Sequence, residues 1–152
     1  RISKDYFLRS VIYLVKIIMG TKGSGKTKKL VELVREALDM GNGDVIVIEK
    51  DRKLTFDIPY QARLIVASDY DIGSYEFLKG FLCGLHSGNY DITHFFIDNF
   101  YKLIDDKSPE ALDTFIKWLD AFSVKENIDF VLSVSAEKDT SDLVLQKYMV
   151  EF

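Results

Sequence analysis

Cysteine, proline and histidine are all scarce in this chain of 152 residues, which has one cysteine, two prolines and two histidines. A single cysteine excludes an internal disulfide, so the chain is not a small disulfide-linked scaffold. Cys83 falls within an apolar helical pattern, and we expect it to be a buried, reduced thiol. His86 and His94 have no partners at the spacing of zinc ligands, so the sequence assigns them no zinc site.

Long apolar runs and an excess of positive charge are missing as well. The longest apolar run, Val11 to Met19, is interrupted by Lys16 and is too short to cross a bilayer. The net charge of −4 does not indicate a general nucleic-acid-binding surface. With 47% hydrophobic residues, the composition is typical of a well-packed globular protein. We expect a single cytoplasmic domain over residues 11–152, preceded by a leader segment at residues 1–10.

Strand-like and helix-like segments alternate along the chain. Apolar runs predict five strands, at Leu14–Met19, Val45–Ile48, Leu64–Ala67, Phe95–Ile97 and Phe130–Val134. Helices are predicted after the first strand, from Ser74 and from Ser108. The helix from Ser74 is expected to bury Phe77, Leu78, Phe81, Leu82 and Leu85. Residues 50–61 are expected to form an excursion with a small hairpin, and residues 141–152 a helix, a strand or both. This alternation predicts an α/β fold of three layers, with a mainly parallel sheet of about five strands flanked by helices.

The segment between the first strand and the first helix matches the pattern G-x-x-x-x-G-K-[ST] at every fixed position. Its residues are Gly20, Thr21, Lys22, Gly23, Ser24, Gly25, Lys26 and Thr27. Glycines let the backbone wrap closely around an anion, and the N–H groups at a helix start favour phosphate. Lys26 would reach the β- and γ-phosphates, the Thr27 hydroxyl would bind Mg²⁺, and Lys28 and Lys29 extend the positive patch. An ordinary strand-to-helix turn is the alternative, but the position between a strand and a helix favours phosphate binding.

This Walker A pattern, together with the segment FFID at residues 95–98, resembles a minimal P-loop NTPase domain. The resemblance covers residues 12 to about 140, and it does not identify a subfamily. It implies a P-loop fold that binds ATP and Mg²⁺, with Asp98 as the Walker B carboxylate that contacts the metal through water.

The residue after Asp98 is important for the expected reaction. In the additional-strand division of P-loop proteins, a glutamate often stands at this position and polarises the attacking water. Here the residue is Asn99, whose amide can orient a water but cannot accept its proton. Hydrolysis is then slow, or the base comes from elsewhere, or the phosphoryl acceptor is not water.

Other polar residues at strand ends are candidates for the missing role. Glu49 directly follows a buried strand and is preferred over Asp51, Asp69 and Asp71. The resemblance also implies that the fifth strand lies between the P-loop strand and the Walker B strand, with a polar sensor near its end. Ser135 is favoured over Ser133 for that position. Arg52 is a candidate finger residue, acting in cis or on a neighbouring subunit.

Three functions fit these observations. The first is a Mg²⁺-dependent ATP-binding protein, an ATPase (a hydrolase) of the additional-strand division with slow or partner-stimulated turnover, working as a homo-oligomer or with a protein partner. The second is a small-molecule or nucleoside kinase, although residues 136–142 contain no arginine for a phosphate-covering lid. The third is a nucleotide-dependent interaction module that does not hydrolyse ATP. GTP is less favoured because the segment FSVKENID contains no base-reading motif.

Overall fold

A computed structural model describes residues 13–136 and 143–152 of the chain, so the expected leader lies outside the described residues. Five parallel strands form one sheet in the order β1-β5-β4-β2-β3. The strands are β1 (Val15–Gly20), β2 (Asp44–Glu49), β3 (Arg63–Val66), β4 (Ile92–Ile97) and β5 (Asp129–Ser135). The predicted α/β fold with a parallel sheet is confirmed, and β5 lies between the strand that enters the glycine loop and the strand that precedes Asp98.

Helices connect the strands on both faces of the sheet. They are α1 (Lys26–Met40), α2 (Tyr75–Gly88), α3 (Phe100–Leu103), α4 (Pro109–Glu126) and α5 (Leu143–Gln146), with a 3₁₀ turn at Ala67–Tyr70. Two helix starts are confirmed by their caps: the Phe77 N–H donates to Ser74 Oγ at 3.1 Å, and the Ala111 N–H donates to Ser108 Oγ at 3.3 Å. None of the helices in the described parts of the chain is both long enough and apolar enough to cross a membrane.

The core is divided between the two faces of the sheet. Phe95 and Phe96 are consecutive residues of β4 and point to opposite faces, as strand geometry requires. Phe95 belongs to the larger layer, which includes the buried residues of α2, α3 and α4. Phe96 belongs to the smaller layer with Leu30 and Val34 of α1. The helices therefore flank the sheet in three layers, with the carboxyl ends of the strands at one shared edge.

Three expectations about individual segments are wrong. Residues 50–61 form successive turns and no hairpin; Leu54 and Ile58 are buried and anchor these turns to the α1 layer. Cys83 is exposed, and Phe77 is 46% exposed. Both side chains lie one residue, about 100° around the helix, from the buried positions Leu82 and Leu78, so neither points at the sheet.

The tail is both a helix and a strand-like segment. After α5, Met149 pairs with Ile17 in a parallel bridge along the outer edge of β1. The Ile17 N–H donates to the Tyr148 carbonyl at 2.7 Å, and the Val150 N–H donates to the Ile17 carbonyl at 2.9 Å. The tail thus pairs with backbone groups that β1 would otherwise leave open.

Candidate functional site

The glycine loop leaves β1 at Gly20 and enters α1 at Lys26, and each glycine has its own steric reason. Gly23 and Gly25 have φ values of 82° and 93°, in the left-handed region where a side chain is strained. Gly20 is limited by space, because a Cβ there would collide with Ser24 Oγ. The loop backbone therefore requires glycine at positions 23 and 25, whereas a side chain at Gly20 would require the Ser24 side chain to move.

Lys26 lies under the loop. Its side chain is buried, and its Nζ donates a hydrogen bond to the Thr21 carbonyl at 2.8 Å. Burial lowers the pKa of Lys26 and the nearby Asp98 carboxylate partly opposes that shift. The ammonium group thus has one carbonyl partner in the loop, which an anion in the loop could replace.

Asp98 follows β4 and approaches the start of α1. Thr27 Oγ1, 71 positions earlier in the chain, lies 3.4 Å from Asp98 Oδ1 and 3.5 Å from Oδ2. Ser133 of β5 donates its hydroxyl to Oδ1 at 2.7 Å, and the Asp98 N–H donates to the Ile48 carbonyl at 2.9 Å. A hydroxyl and a carboxylate are hard oxygen donors, which suit Mg²⁺ coordinated by few protein ligands together with water and phosphate oxygens. The residues at this position therefore fit the metal that the sequence implies.

Asn99 has a left-handed backbone, with φ 53° and ψ 59°, and precedes α3. Its N–H donates to Ser133 Oγ at 2.6 Å, so one serine hydroxyl contacts both Asp98 and Asn99. Ser133 is only 1% exposed, whereas Ser135 is partly exposed two residues further along β5. Ser133 is the serine that contacts Asp98. The preference for Ser135 as a polar sensor near the γ-phosphate stays a prediction.

A cavity of about 330 Å³ lies above the loop. It is lined by residues of the loop and helix start, by Asn99 after β4, and by two serines of β5; the loop and helix residues are Lys22, Gly23, Gly25, Lys26, Thr27 and Lys28, and the serines are Ser133 and Ser135. Most of the residues predicted for phosphate binding thus share one cavity, which also contains three lysine side chains and can accommodate a strongly negative ligand.

Glu49 lies next to Asp98, but its carboxylate points toward the turn at residues 50–54. Ile48 pairs with Ile97, so the two acids that follow lie side by side at the sheet edge. Glu49 is 3% exposed, and its carboxylate accepts the N–H groups of Lys53, at 2.5 Å, and Leu54, at 2.9 Å. Burial raises the pKa of Glu49; the two N–H groups oppose that rise, and the nearby carboxylates of Asp98 and Asp51 add to it. Glu49 therefore stabilises the turn at residues 50–54.

The remaining candidates from the sequence do not line this cavity. Arg52 forms an exposed ion pair with Asp69 at 2.6 Å, which links the segments after β2 and β3. Asp51 and Asp71 are exposed in the same two segments.

Both histidines pair with an acid. His86 Nε2 lies 2.9 Å from Glu126 Oε2, and His94 Nε2 lies 3.2 Å from Asp129 Oδ2. Over residues 13–136 and 143–152, no group of three or more histidine, cysteine, aspartate or glutamate side chains is placed to hold a metal ion. A magnesium ion bound through Thr27 and Asp98 would not require such a group, because Mg²⁺ keeps several of its waters.

No protein-family model matches this chain, and no curated protein is significantly similar to it in sequence.

Proposed function

We propose that this protein binds Mg·ATP in the glycine loop and is an ATPase of the additional-strand P-loop division, with slow or partner-stimulated hydrolysis. The main observation is the approach of Thr27 to Asp98, 3.4 Å apart at the cavity that the loop surrounds. The position of β5 between β1 and β4 supports the same division, because the resemblance implied that strand order.

The loop supplies the phosphate contacts in this proposal. Its backbone N–H groups and the start of α1 would face the phosphates, while Lys22 and Lys28 add positive charge at the cavity wall. Lys26 would exchange the Thr21 carbonyl for phosphate oxygens. Its buried ammonium group would then have a charged and therefore stronger partner. Binding therefore needs little rearrangement beyond one side chain.

Thr27 and Asp98 would hold Mg²⁺, with Asp98 acting through water. A metal ion there supplies charge neutralisation at the β- and γ-phosphates. Ser133 donates to Asp98 Oδ1 and so holds the carboxylate of Asp98 in a defined orientation toward the metal position.

The site is less suited to proton transfer than to nucleotide binding. Asn99 can orient an attacking water but cannot take its proton. Glu49 can take a proton, but its carboxylate accepts two backbone N–H groups of the turn at residues 50–54. Hydrolysis would be slow until a partner or a second subunit rearranges that turn or supplies a base. The same observation favours one of the alternatives, a nucleotide-dependent interaction module that does not hydrolyse ATP.

We also propose a cytoplasmic location, where ATP and Mg²⁺ are abundant and the exposed thiol of Cys83 stays reduced.

The test is calorimetric titration with ATP, with and without Mg²⁺, on the wild type and on Lys26→Ala, with phosphate release followed in the same samples. Removing the Lys26 ammonium deletes charge-assisted bonds to phosphate, so we expect affinity to fall roughly 100-fold. The matched control is Lys28→Ala, which removes an exposed cavity lysine and should cost less than about tenfold. Equal affinity of wild type and Lys26→Ala would refute nucleotide binding in the loop.

A further inference from the structure

Two lysines of the cavity wall have ammonium groups without a partner in the described part of the chain. Lys22 lies in the glycine loop and Lys28 in the first turn of α1, and both are exposed residues that line the cavity. Within residues 13–136 and 143–152, neither ammonium group forms a hydrogen bond or an ion pair. Each carries three N–H donors, which are therefore open to a ligand in the cavity.

Negative charge is scarce around the same cavity. Among the described residues, its lining includes no aspartate and no glutamate. Asp98 borders the cavity through its contact with Thr27. The carboxylate of Glu49 accepts N–H groups of the turn at residues 50–54 instead. Together with Lys26, the two open lysines give the cavity more positive than negative charge.

The arginines in the described part of the chain lie elsewhere. Arg52 is paired with Asp69, and Arg35 reaches the Asp57 carbonyl at 3.5 Å. Arg63 begins β3, at the edge of the sheet opposite to the loop. The cationic side chains that line the cavity are therefore lysines, which act as point charges. Point charges attract the more negative of two ligands without requiring one fixed orientation.

We propose that Lys22 and Lys28 make the loop selective for a nucleoside triphosphate over the corresponding diphosphate. This inference rests on the proposed function. The third phosphate adds negative charge to the ligand, and two ammonium groups that lack a partner gain charge-assisted contacts when it enters the cavity. A diphosphate offers less charge to the same two groups. Because both lysines are exposed, each contributes roughly threefold to the selectivity, and the two together contribute about tenfold.

The test measures the affinities for ATP and ADP by calorimetry with Mg²⁺, on the wild type and on the double variant Lys22→Ala/Lys28→Ala. We expect the wild type to bind ATP about tenfold more tightly than ADP or better, and this ratio to fall about tenfold in the double variant. The double variant Lys22→Arg/Lys28→Arg keeps both charges and should keep the ratio. Lys102→Ala is the matched control, because Lys102 is an exposed lysine of α3 that does not line the cavity.

Two further readouts identify charge as the cause. Tripolyphosphate and pyrophosphate have no base, and their affinity ratio should fall in the double variant as the ratio of ATP to ADP does. Salt screens exposed charges, so raising it from about 0.05 M to about 0.5 M should lower the ratio of the wild type and leave that of the double variant nearly constant.

The outcomes separate this inference from the proposed function. Selection by the two lysines is refuted if the double variant keeps the wild-type ratio. It is also refuted if the affinities for ATP and ADP fall by the same factor, since the lysines would then attract any phosphate ligand equally. A wild type that binds ATP and ADP equally tightly refutes the selectivity and leaves the nucleotide site intact. If the wild type binds neither nucleotide, the proposed function itself fails.

Discussion

Replacing Ser133 by alanine removes one hydroxyl that makes two hydrogen bonds. Ser133 donates to Asp98 Oδ1 at 2.7 Å and accepts the Asn99 N–H at 2.6 Å. A hydrogen bond to a charged group contributes roughly 1.5–3 kcal/mol, and a buried donor left without a partner costs about 1–3 kcal/mol. Water entering from the cavity would restore part of this. We therefore expect the free energy of unfolding of Ser133→Ala to fall by about 2–3 kcal/mol.

Ser135→Ala is the matched control for this experiment. Ser135 lies on the same face of β5 but is partly exposed and borders the open cavity, so its loss should cost less than about 0.5 kcal/mol. Urea unfolding of both variants gives the comparison, provided that the slope of the transition stays constant.

A double-mutant cycle shows whether the Ser133 effect passes through Asp98. In an Asp98→Asn background the hydroxyl no longer contacts a charge, so Ser133→Ala should cost about 1 kcal/mol less than in the wild type. A Ser133→Ala variant that loses no more stability than Ser135→Ala, or a cycle without coupling, would refute the role of Ser133 in holding Asp98.

Two further predictions concern the acids at the sheet edge. Mg²⁺ should raise the affinity for ATP, and Asp98→Asn should make that gain roughly tenfold smaller, while the affinity without the metal stays equal or rises. Calorimetry with and without Mg²⁺ measures the gain. An unchanged gain would exclude Asp98 from the metal site. Glu49 has a pKa raised in the folded state, so the folded chain binds this proton more tightly than the unfolded chain, and stability should fall as pH rises from 4.5 through the raised value. Glu49→Gln keeps an oxygen that can accept the N–H groups of the turn, and it should flatten this part of the dependence of stability on pH. Thermal unfolding between about pH 4 and about pH 8 measures this dependence. A dependence identical to that of the wild type would contradict the raised pKa of Glu49.

The loop and the sheet were predictable because their signals are local. The spacing of Gly20, Gly25 and Lys26 lies within eight residues, and uninterrupted apolar runs indicate strands covered on both faces. The helix caps at Ser74 and Ser108 are also local, and both are confirmed.

Which serine of β5 contacts Asp98 was not predictable, because this contact depends on the register between strands. Both serines lie on one face of β5, and the sequence does not say which is level with Asp98. The pairing of Ile97 with Leu132 decides it, since the residues that follow are Asp98 and Ser133. Register is set by the packing of whole strands, which no single segment specifies.

The orientation of Glu49 was not predictable for a related reason. Its position at the end of β2 was correct, but its direction depends on the backbone of residues 50–54. The sequence predicted a hairpin there, whereas the chain forms turns whose N–H groups at Lys53 and Leu54 point back to the carboxylate. The buried side chain of Leu54 holds that turn in place.

Binding and turnover, if the proposed function is correct, are limited by different parts of the chain. Binding requires Lys26 to exchange one carbonyl, and Ser133 already holds Asp98 in place. Turnover requires a base, and the residue that follows Asp98 is the amide of Asn99 while Glu49 is engaged by the turn at residues 50–54. A change confined to that turn would therefore alter the rate of hydrolysis and leave the affinity for ATP nearly constant. A change in the loop would instead lower the affinity for ATP, because the loop contacts the phosphates.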